Sequence, residues 1–373
     1  MKLAIDPKIL AETVAWAARA IPRRPTIPAL AGLLLQTDND QVTVSAFDYD
    51  ASAQAAIPCE IAEPGKILIP GHMLAEVARA LPTTSFVNIA ATDTETTLTC
   101  GRADFTLRLL PVGDYPNLPS PPPPAGTIDA ATLAAAIAQV HPAVSGDDAT
   151  ILLTGIKLDT DGDKLTLAAT DRYRIAATDT TWTPDASAWA GDHYRGEVGN
   201  LTALIPGRHL HDAAKGFGTG PVHIGLNDSM AAFTTGDRQT TVRLLDNQFI
   251  DYRARLKYEA AITATVDAAA LAAAVKRVAL VADRQTTAIR LHFAPDEVTV
   301  RAGADDYGRG NETLDSKLDG DPIEIAFQSQ FLLDALGAID GPARIGMTGP
   351  ANPAHFASED GSHQQTVMAL RLT

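Results

Sequence analysis

Short runs of alternating apolar and polar residues give way three times to an Ala-rich helical period, each time across an aspartate. The segments are Ala4–Trp16, Thr127–Ile137 and Thr265–Val275. Each has an apolar or β-branched residue, then Asp6, Asp129 or Asp267, then Leu10, Leu133 or Leu271 four positions on. Aspartate suits a helix N-cap because its carboxylate accepts from the free amides of the first turn, so each segment reads as strand, cap, helix. A second unit recurs as Ile67–Leu81, Ala203–Lys215 and Glu324–Leu336, an apolar strand running into a short helix. A third recurs as the strands Thr106–Leu110, Thr241–Leu245 and Thr366–Leu370. Between the helices, Gln41–Ala46, Lys164–Ala168 and Glu297–Arg301 alternate with the period of half-buried strands. Asp48 and Asp171 each follow such a strand, 42 residues after the cap of their repeat; the third copy, Asp305-Asp306, is slightly closer.

One order of elements in three copies predicts three similar domains, 1–120, 127–256 and 263–373. Each is an α+β layer arrangement of two helices and an antiparallel sheet. Ser120–Gly126, with four consecutive prolines, reads as a stiff linker, and Leu256–Ile262 as the second joint.

Composition narrows the function. The chain of 373 residues is 46% hydrophobic and has a net charge of −15. Neither a membrane-length apolar run nor a signal peptide is legible, which predicts a cytoplasmic protein that does not touch the membrane. Cys59 and Cys100 form no CxxC pair and read as ordinary strand residues. The nine histidines make no HExxH, and no serine sits in a GxSxG elbow. Gly216–Gly220 follows a helix and matches no phosphate-loop spacing, so it reads as a loop. Asp159–Asp163 has its glycine too early for a calcium loop and reads as a hairpin turn. No enzyme, metal or cofactor is predicted.

The negative charge argues against nucleic acid until its distribution is considered. Lys8, Glu12 and Arg19 share a helix face; so do His72, Glu76 and Arg79, and Arg208, His211, Asp212 and Lys215. Lys276 and Arg277 lie on the third repeat's first helix. Ile9, Leu10, Val14, Leu74, Val77 and Leu210 occupy the opposite faces, ready to pack on a sheet. Seven Lys/Arg on these helices meet four acids, Glu12, Glu76, Asp212 and Asp334, so the rest of the chain is the more acidic. Taken alone, such faces are commonly just solvated. Together they suit a surface that meets phosphates without reading bases.

The repeats, with Arg24–Leu30, Gly113–Pro119, Ala169–Ala176, Leu244–Phe249, Asp251–Arg253, Lys276–Arg284 and Met368–Leu372, resemble the bacterial DNA polymerase III beta sliding clamp along the whole chain, with an actinobacterial flavour. The resemblance implies a head-to-tail homodimer, a six-domain ring whose helices line a hole for duplex DNA. It implies a clamp loader that opens the ring, and docking of the polymerase III alpha subunit and other clamp-motif proteins between domains two and three. The matching pocket positions are Leu153, Thr170, Tyr173, Arg174, Ile175, Ile250, Arg255, Gln328, Phe331, Met368, Ala369, Leu370 and Arg371. The matching DNA-facing positions are Arg24, Arg79, Arg208, Lys215, Lys276 and Arg277.

The departures from the family pattern cluster in that pocket. Phe249-Ile250 stands for Phe-Pro, Arg255 for a small apolar residue, and Lys257-Tyr258 where proline is usual. Gln328 stands for Asn, Phe331 for Tyr, and Met368-Ala369 for Met-Pro. Loss of proline frees the backbone and reshapes a wall. One expectation is a self-resistance paralogue altered against clamp-binding cyclic peptide antibiotics. The remaining alternative is an interaction scaffold that forms no ring.

Overall fold

The computed structural model describes every residue except 191–193, 195, 246–248, 283–286, 305–307 and 372–373, and for residue 304 the backbone alone. Within it the helices are α1 (Pro7–Ala17), α2 (Gly71–Ala80), α3 (Ala130–Val140), α4 (Ala186–Trp189), α5 (Gly207–Ala214), α6 (Tyr252–Leu256), α7 (Ala268–Val278) and α8 (Ser329–Gly337). The repeats account for the pairs α1/α2, α3/α5 and α7/α8; α4 and α6 are short additions. The caps work as the residue type requires. The Asp6 carboxylate accepts from the backbone N–H groups of Lys8 and Ile9 at 2.8 and 3.1 Å, and Asp267 from Ala270 at 2.7 Å.

The packing divides into two compact units. One comprises residues 1–131, 183–198 and 212–244; the other 132–182, 199–211 and 245–373. The division cuts through the second repeat because its strands are shared out between the sheets of the two units. The first unit holds a five-stranded and a nine-stranded sheet, the second a nine-stranded and a four-stranded one. Leu10, Val14, Leu74 and Val77 of α1 and α2 are buried in the first unit's core, and Leu271, Val275, Leu332 and Leu336 of α7 and α8 in the second's. Ile9 corrects an expectation. It is 42% exposed, because it flanks the Lys8 face and does not oppose it. The Pro-rich stretch is also shorter as a linker than expected, since the strand Pro124–Asp129 takes in its last residues. The carbonyls of Pro122 and Pro123 come so close to Gly225 that a Cβ there would lie within 2.6 Å of either. Cys59 falls between two strands, while Cys100 ends one; both are free thiols.

The aspartate turns repeat in atomic detail. Asp48 Oδ1 accepts from the N–H groups of Asp50 and Ala51 at 3.0 and 2.6 Å, and Asp171 Oδ1 from Tyr173 and Arg174 at 3.0 Å each. The residue after each aspartate takes a positive φ, 74° at Tyr49 and 80° at Arg172. The carboxylate supports this uncommon conformation by taking up the next two amides. Asp305 and Asp306 lie outside the described residues. The Asp159–Asp163 turn is the hairpin expected, with Asp161 opposite Lys164 and Gly162 at φ 59°.

Each turn feeds a strand that crosses to the next repeat. Ala51–Pro58 pairs antiparallel with Arg238–Arg243, and Arg174–Thr181 with His363–Val367. In both seams the strand after the turn bonds the closing strand of the following repeat. Two strands of the same kinds are left at sheet ends: Ala103–Arg108, the closing strand of the first repeat, and Gly308–Asp315, the strand after the third turn. His363 lies fully buried in the second seam, its Nδ1 2.8 Å from Thr178 Oγ1, and burial pulls its pKa down to about 4, so the imidazole is neutral there.

Candidate functional site

The Asp171 turn sends two neighbouring side chains in opposite directions. Tyr173 stands 60% exposed, while Arg174 is turned inward and 7% exposed. A buried guanidinium must have its donors and charge matched. Arg174 donates from Nε to Asp171 Oδ2 at 2.9 Å, from Nη1 to Asp334 Oδ2 at 2.6 Å, and from Nη2 to the Pro142 carbonyl. Its Cζ lies over the Phe331 ring, 4.5 Å from the centroid. The Tyr173 and Phe331 rings are 6.0 Å apart. Thr170 Oγ1 donates to the Arg174 carbonyl at 2.7 Å, and the Met368 N–H to the Tyr173 carbonyl at 2.9 Å. Turn, α8 and the chain beyond the last strand thus meet around one cation.

The other predicted pocket residues lie beyond the last strand, at the end of the strand before α8, on the strand after the turn, at α6 and in a 3-10 turn. The Leu370 N–H donates to the Ala326 carbonyl at 2.7 Å, which lays Ala369, Leu370 and Arg371 beside the strand ending at Gln328. Gln328 Oε1 is buried and accepts no hydrogen bond among the described residues. Ile175 packs with Phe249 against the buried Tyr252 and Leu256 of α6. That helix is capped by Asp251, which accepts from Ala254 N–H at 3.1 Å, and tied down by the Tyr252 hydroxyl, which donates to Asp159 Oδ2 at 2.9 Å. Burial, reinforced by Asp159, raises the Tyr252 pKa and keeps the phenol protonated. Ile250 and Arg255 are exposed at the two ends of α6. Leu153 is in the 3-10 turn Asp148–Thr154, which Arg172 holds by donating to Thr150 Oγ1.

Sequence reasoning missed three members. Asp171 was visible as a turn residue, but its grip on Arg174 was not. Asp334 is in sequence one of four helix acids, and in the fold it is the second anchor of Arg174. Thr366 faces Ile175 across the seam, a neighbour that only strand register supplies. The exposed apolar groups Tyr173, Ile250 and Met368, together with the unpaired acceptor of Gln328, suit an extended peptide with apolar side chains and free backbone N–H groups. No group of three or more metal-ligating side chains occurs among the described residues.

The cations expected to face DNA divide between the units. Arg24 and Arg79 are exposed in the first, Arg208 and Lys276 in the second, and none has an ion-pair partner among the described residues. Lys215 is partly neutralised by Asp212 at 2.8 Å. Arg277 departs from the expectation of a free cation. It holds Glu312 through two bonds of 2.9 and 2.5 Å, which draws the Glu312 carboxyl below its usual pKa. His211, expected on a helix surface, is stacked on His141 with ring centroids 3.9 Å apart. No helix is long and apolar enough to cross a membrane among the described residues.

Comparison with known proteins extends these observations. Residues 1–119 match the family model of the DNA polymerase III beta subunit N-terminal domain, 127–251 that of its central domain, and 256–371 that of its C-terminal domain. The beta sliding clamp of Streptomyces coelicolor is 38% identical over 390 residues, covering 100% of both chains. The beta sliding clamp homolog GriR of Streptomyces muensis is 34% identical over 91% of this chain and 89% of its own. The crystal structure of a Pseudomonas aeruginosa sliding clamp bound to griselimycin superposes with a TM-score of 0.90 at 24% identity, with full coverage of both chains.

Proposed function

The chain belongs to the DNA polymerase III beta subunit family, the bacterial sliding clamps, and from that premise we propose which of its parts do the work of a clamp. It is a non-catalytic processivity factor, so every functional surface binds and none reacts. In this reading two copies close head to tail in the cytoplasm. The free strand Gly308–Asp315 of each copy pairs with the free strand Ala103–Arg108 of the other, as the two internal seams already do.

Arg24, Arg79, Arg208, Lys215 and Lys276 then face duplex DNA, independent of sequence. A topological link needs little contact affinity, and an acidic exterior repels nucleic acid elsewhere. Replacing Arg24, Arg79 and Lys276 together by Ala is expected to slow loading onto nicked circular DNA and to flatten the salt dependence of loading. Arg277→Ala should leave the salt slope unchanged; an equal loss of slope would return Arg277 to the DNA surface.

The pocket at Arg174 receives an extended motif from the polymerase III alpha subunit, the clamp loader and other clamp-binding proteins. The observation that carries this is the apolar set of exposed Tyr173 and Met368 and half-buried Phe331 held around one buried cation. Calorimetric titration with the host polymerase's clamp-binding peptide tests it. Phe331→Ala or Met368→Ala should weaken binding by roughly tenfold or more, as truncation of a central anchor does; wild-type affinity in both would reject the pocket.

A second reading is favoured by the departures at Ile250, Arg255, Gln328, Phe331 and Ala369, which all fall on this pocket. They adapt the clamp to reject a cyclic peptide that occupies the same groove, and the chain serves as a self-resistance paralogue. Griselimycin in the same titration separates the readings. Binding of the polymerase peptide without griselimycin supports resistance; tight binding of both leaves an ordinary replication clamp. A monomer that cannot be loaded on circular DNA would instead favour the scaffold alternative.

A further inference from the structure

We infer that the first unit carries a binding site of its own, a polar cavity on its nine-stranded sheet that takes a small zwitterion of dipeptide size. The cavity has a volume of about 490 Å³ and lies between that sheet and the segment Pro116–Leu118. Ordinary small-ligand sites span roughly 300–1,000 Å³. Strand register builds the floor. Leu34, Gln36 and Asp38 alternate along one strand; Ser45 stands opposite Leu34, Thr43 and Lys66 flank Gln36, and Gln54 stands opposite Ser45. The period of two puts all of them on one face of the sheet. Outward polar residues on a sheet are ordinary where water covers them. Ser45 is only 5% exposed, yet its hydroxyl has no hydrogen-bond partner among the described residues. The side chains of Gln36, Thr43, Gln54 and Asn117 have none either, and Lys66 and Asp38, diagonal neighbours on adjacent strands, form no ion pair.

The second repeat satisfies the same positions internally. Asp159 stands where Gln36 does, thirty residues past its repeat's cap, and accepts from the Tyr252 hydroxyl at 2.9 Å. Thr166 stands where Thr43 does and donates to Asp179 at 2.7 Å, and Lys164 pairs with the same carboxylate. In the first repeat the matching Tyr115 hydroxyl is buried without a partner among the described residues. A covered polar group that makes no hydrogen bond costs stability, so polar groups left open around one cavity point to a ligand. The lining selects its class. Carboxamides and hydroxyls both donate and accept, as a peptide group does. Lys66 suits a carboxylate and Asp38 an ammonium, so a ligand with both ends free answers two charges that do not answer each other. A nucleic acid would meet the Asp38 carboxylate. An apolar motif would find little wall, because Phe47, Leu68 and Tyr115 already fill the apolar part of this face.

The test uses the full-length protein and saturation-transfer NMR titrations with glycyl-glutamine, its N-acetyl form, its C-terminal amide and trehalose. Glycyl-glutamine is expected to bind, and capping either end should weaken it roughly threefold to fivefold, as loss of one exposed charge pair does. Lys66→Gln should erase the preference for a free carboxylate, and Asp38→Asn that for a free amine. Ser45→Ala should weaken glycyl-glutamine roughly twofold to tenfold, the range of one hydrogen bond. The same variant should not lower the thermal midpoint, since the hydroxyl it removes holds nothing in the protein. Saturable binding that follows all three variants supports the site. No saturable binding of glycyl-glutamine overturns it, as does binding that none of the variants changes. A midpoint several degrees lower in Ser45→Ala would make the hydroxyl structural and overturn the inference too. Tighter binding of trehalose, or of a capped Glu-Gln-Lys peptide, would overturn the ligand class in favour of a polyol or of a partner protein's segment.

Discussion

Leu280→Asp is expected to leave a folded monomer where the native chain dimerises. The argument comes from the internal seams. Trp16, Gln139 and Arg277 stand at the same offset from Asp6, Asp129 and Asp267. The Trp16 indole lies against Gly216, just past α5, so closely that a Cβ there would be 2.2 Å from Nε1. Gln139 Nε2 donates to the Ala338 carbonyl, just past α8, at 2.9 Å. In each seam, then, the end of a repeat's first helix reaches the end of the next repeat's second helix. Arg19 makes the same connection by donating to the Lys215 carbonyl at 3.1 Å. Applied to the third repeat, the rule sends Arg277 and Leu280 to the end of the partner subunit's α2. Leu280 is 86% exposed, and Phe86, beyond α2, is 57% exposed, as unpartnered surfaces of one seam would be.

Burying Leu280 contributes about 2 kcal/mol per seam, and a ring has two such seams. A desolvated carboxylate in its place costs more. The dissociation constant should therefore rise by at least about a thousandfold. Sedimentation velocity across a concentration series measures this, and a far-ultraviolet spectrum checks the fold, since an exposed residue bears no load in the monomer. A Leu280→Asp protein that stays dimeric at nanomolar concentration would remove the extrapolation from the internal seams.

Arg174→Met should destabilise the second unit by about 3 kcal/mol or more and abolish peptide binding. Methionine fills much of the volume but leaves Asp171 and Asp334 facing each other without the cation. Removing one partner of a buried ion pair typically costs this much, because the remaining charge stays uncompensated. The side chains of Arg174 and Asp334 are 8% and 19% exposed, so solvent screening relieves little of that cost. The Pro142 carbonyl loses its donor as well. Asp334→Asn, which keeps a hydrogen-bond acceptor, should cost less than half as much. Urea denaturation followed by the fluorescence of Trp182, the tryptophan of that unit, with Trp16 and Trp189 replaced by Phe, would show the shift in midpoint. A change under about 1 kcal/mol would mean that Arg174 is held by packing alone. Recovery of binding in Arg174→Lys would show that charge alone, and not the guanidinium fork, is its role.

Much of this architecture is legible in the linear chain because it is local. Asp6 and Asp267 cap helices through amides two and three residues away. The turns at Asp48 and Asp171 close within four residues, so the same short-range chemistry recurs wherever the same residues do. Alternation at Gln41–Ala46 and helical spacing at Leu10 and Val14 mark buried faces without any knowledge of what covers them. The same reasoning misplaced Ile9, since period alone does not say how wide the buried stripe is. Site membership was legible only by resemblance, residue by residue.

What the chain could not show are the partners brought in from far along it. Asp334 lies 160 residues from Arg174, and Thr366 meets Ile175 only through the register of a seam between repeats. Arg277 and Lys276 look alike in sequence, yet one is tied to Glu312 on a neighbouring strand of the sheet beneath the helix and the other is open to solvent. Spacing along a helix determines which way a side chain points. Whether a charge found there is free, paired or buried depends on what the tertiary fold places opposite it, and that is decided by strand pairing over distances that no local pattern encodes.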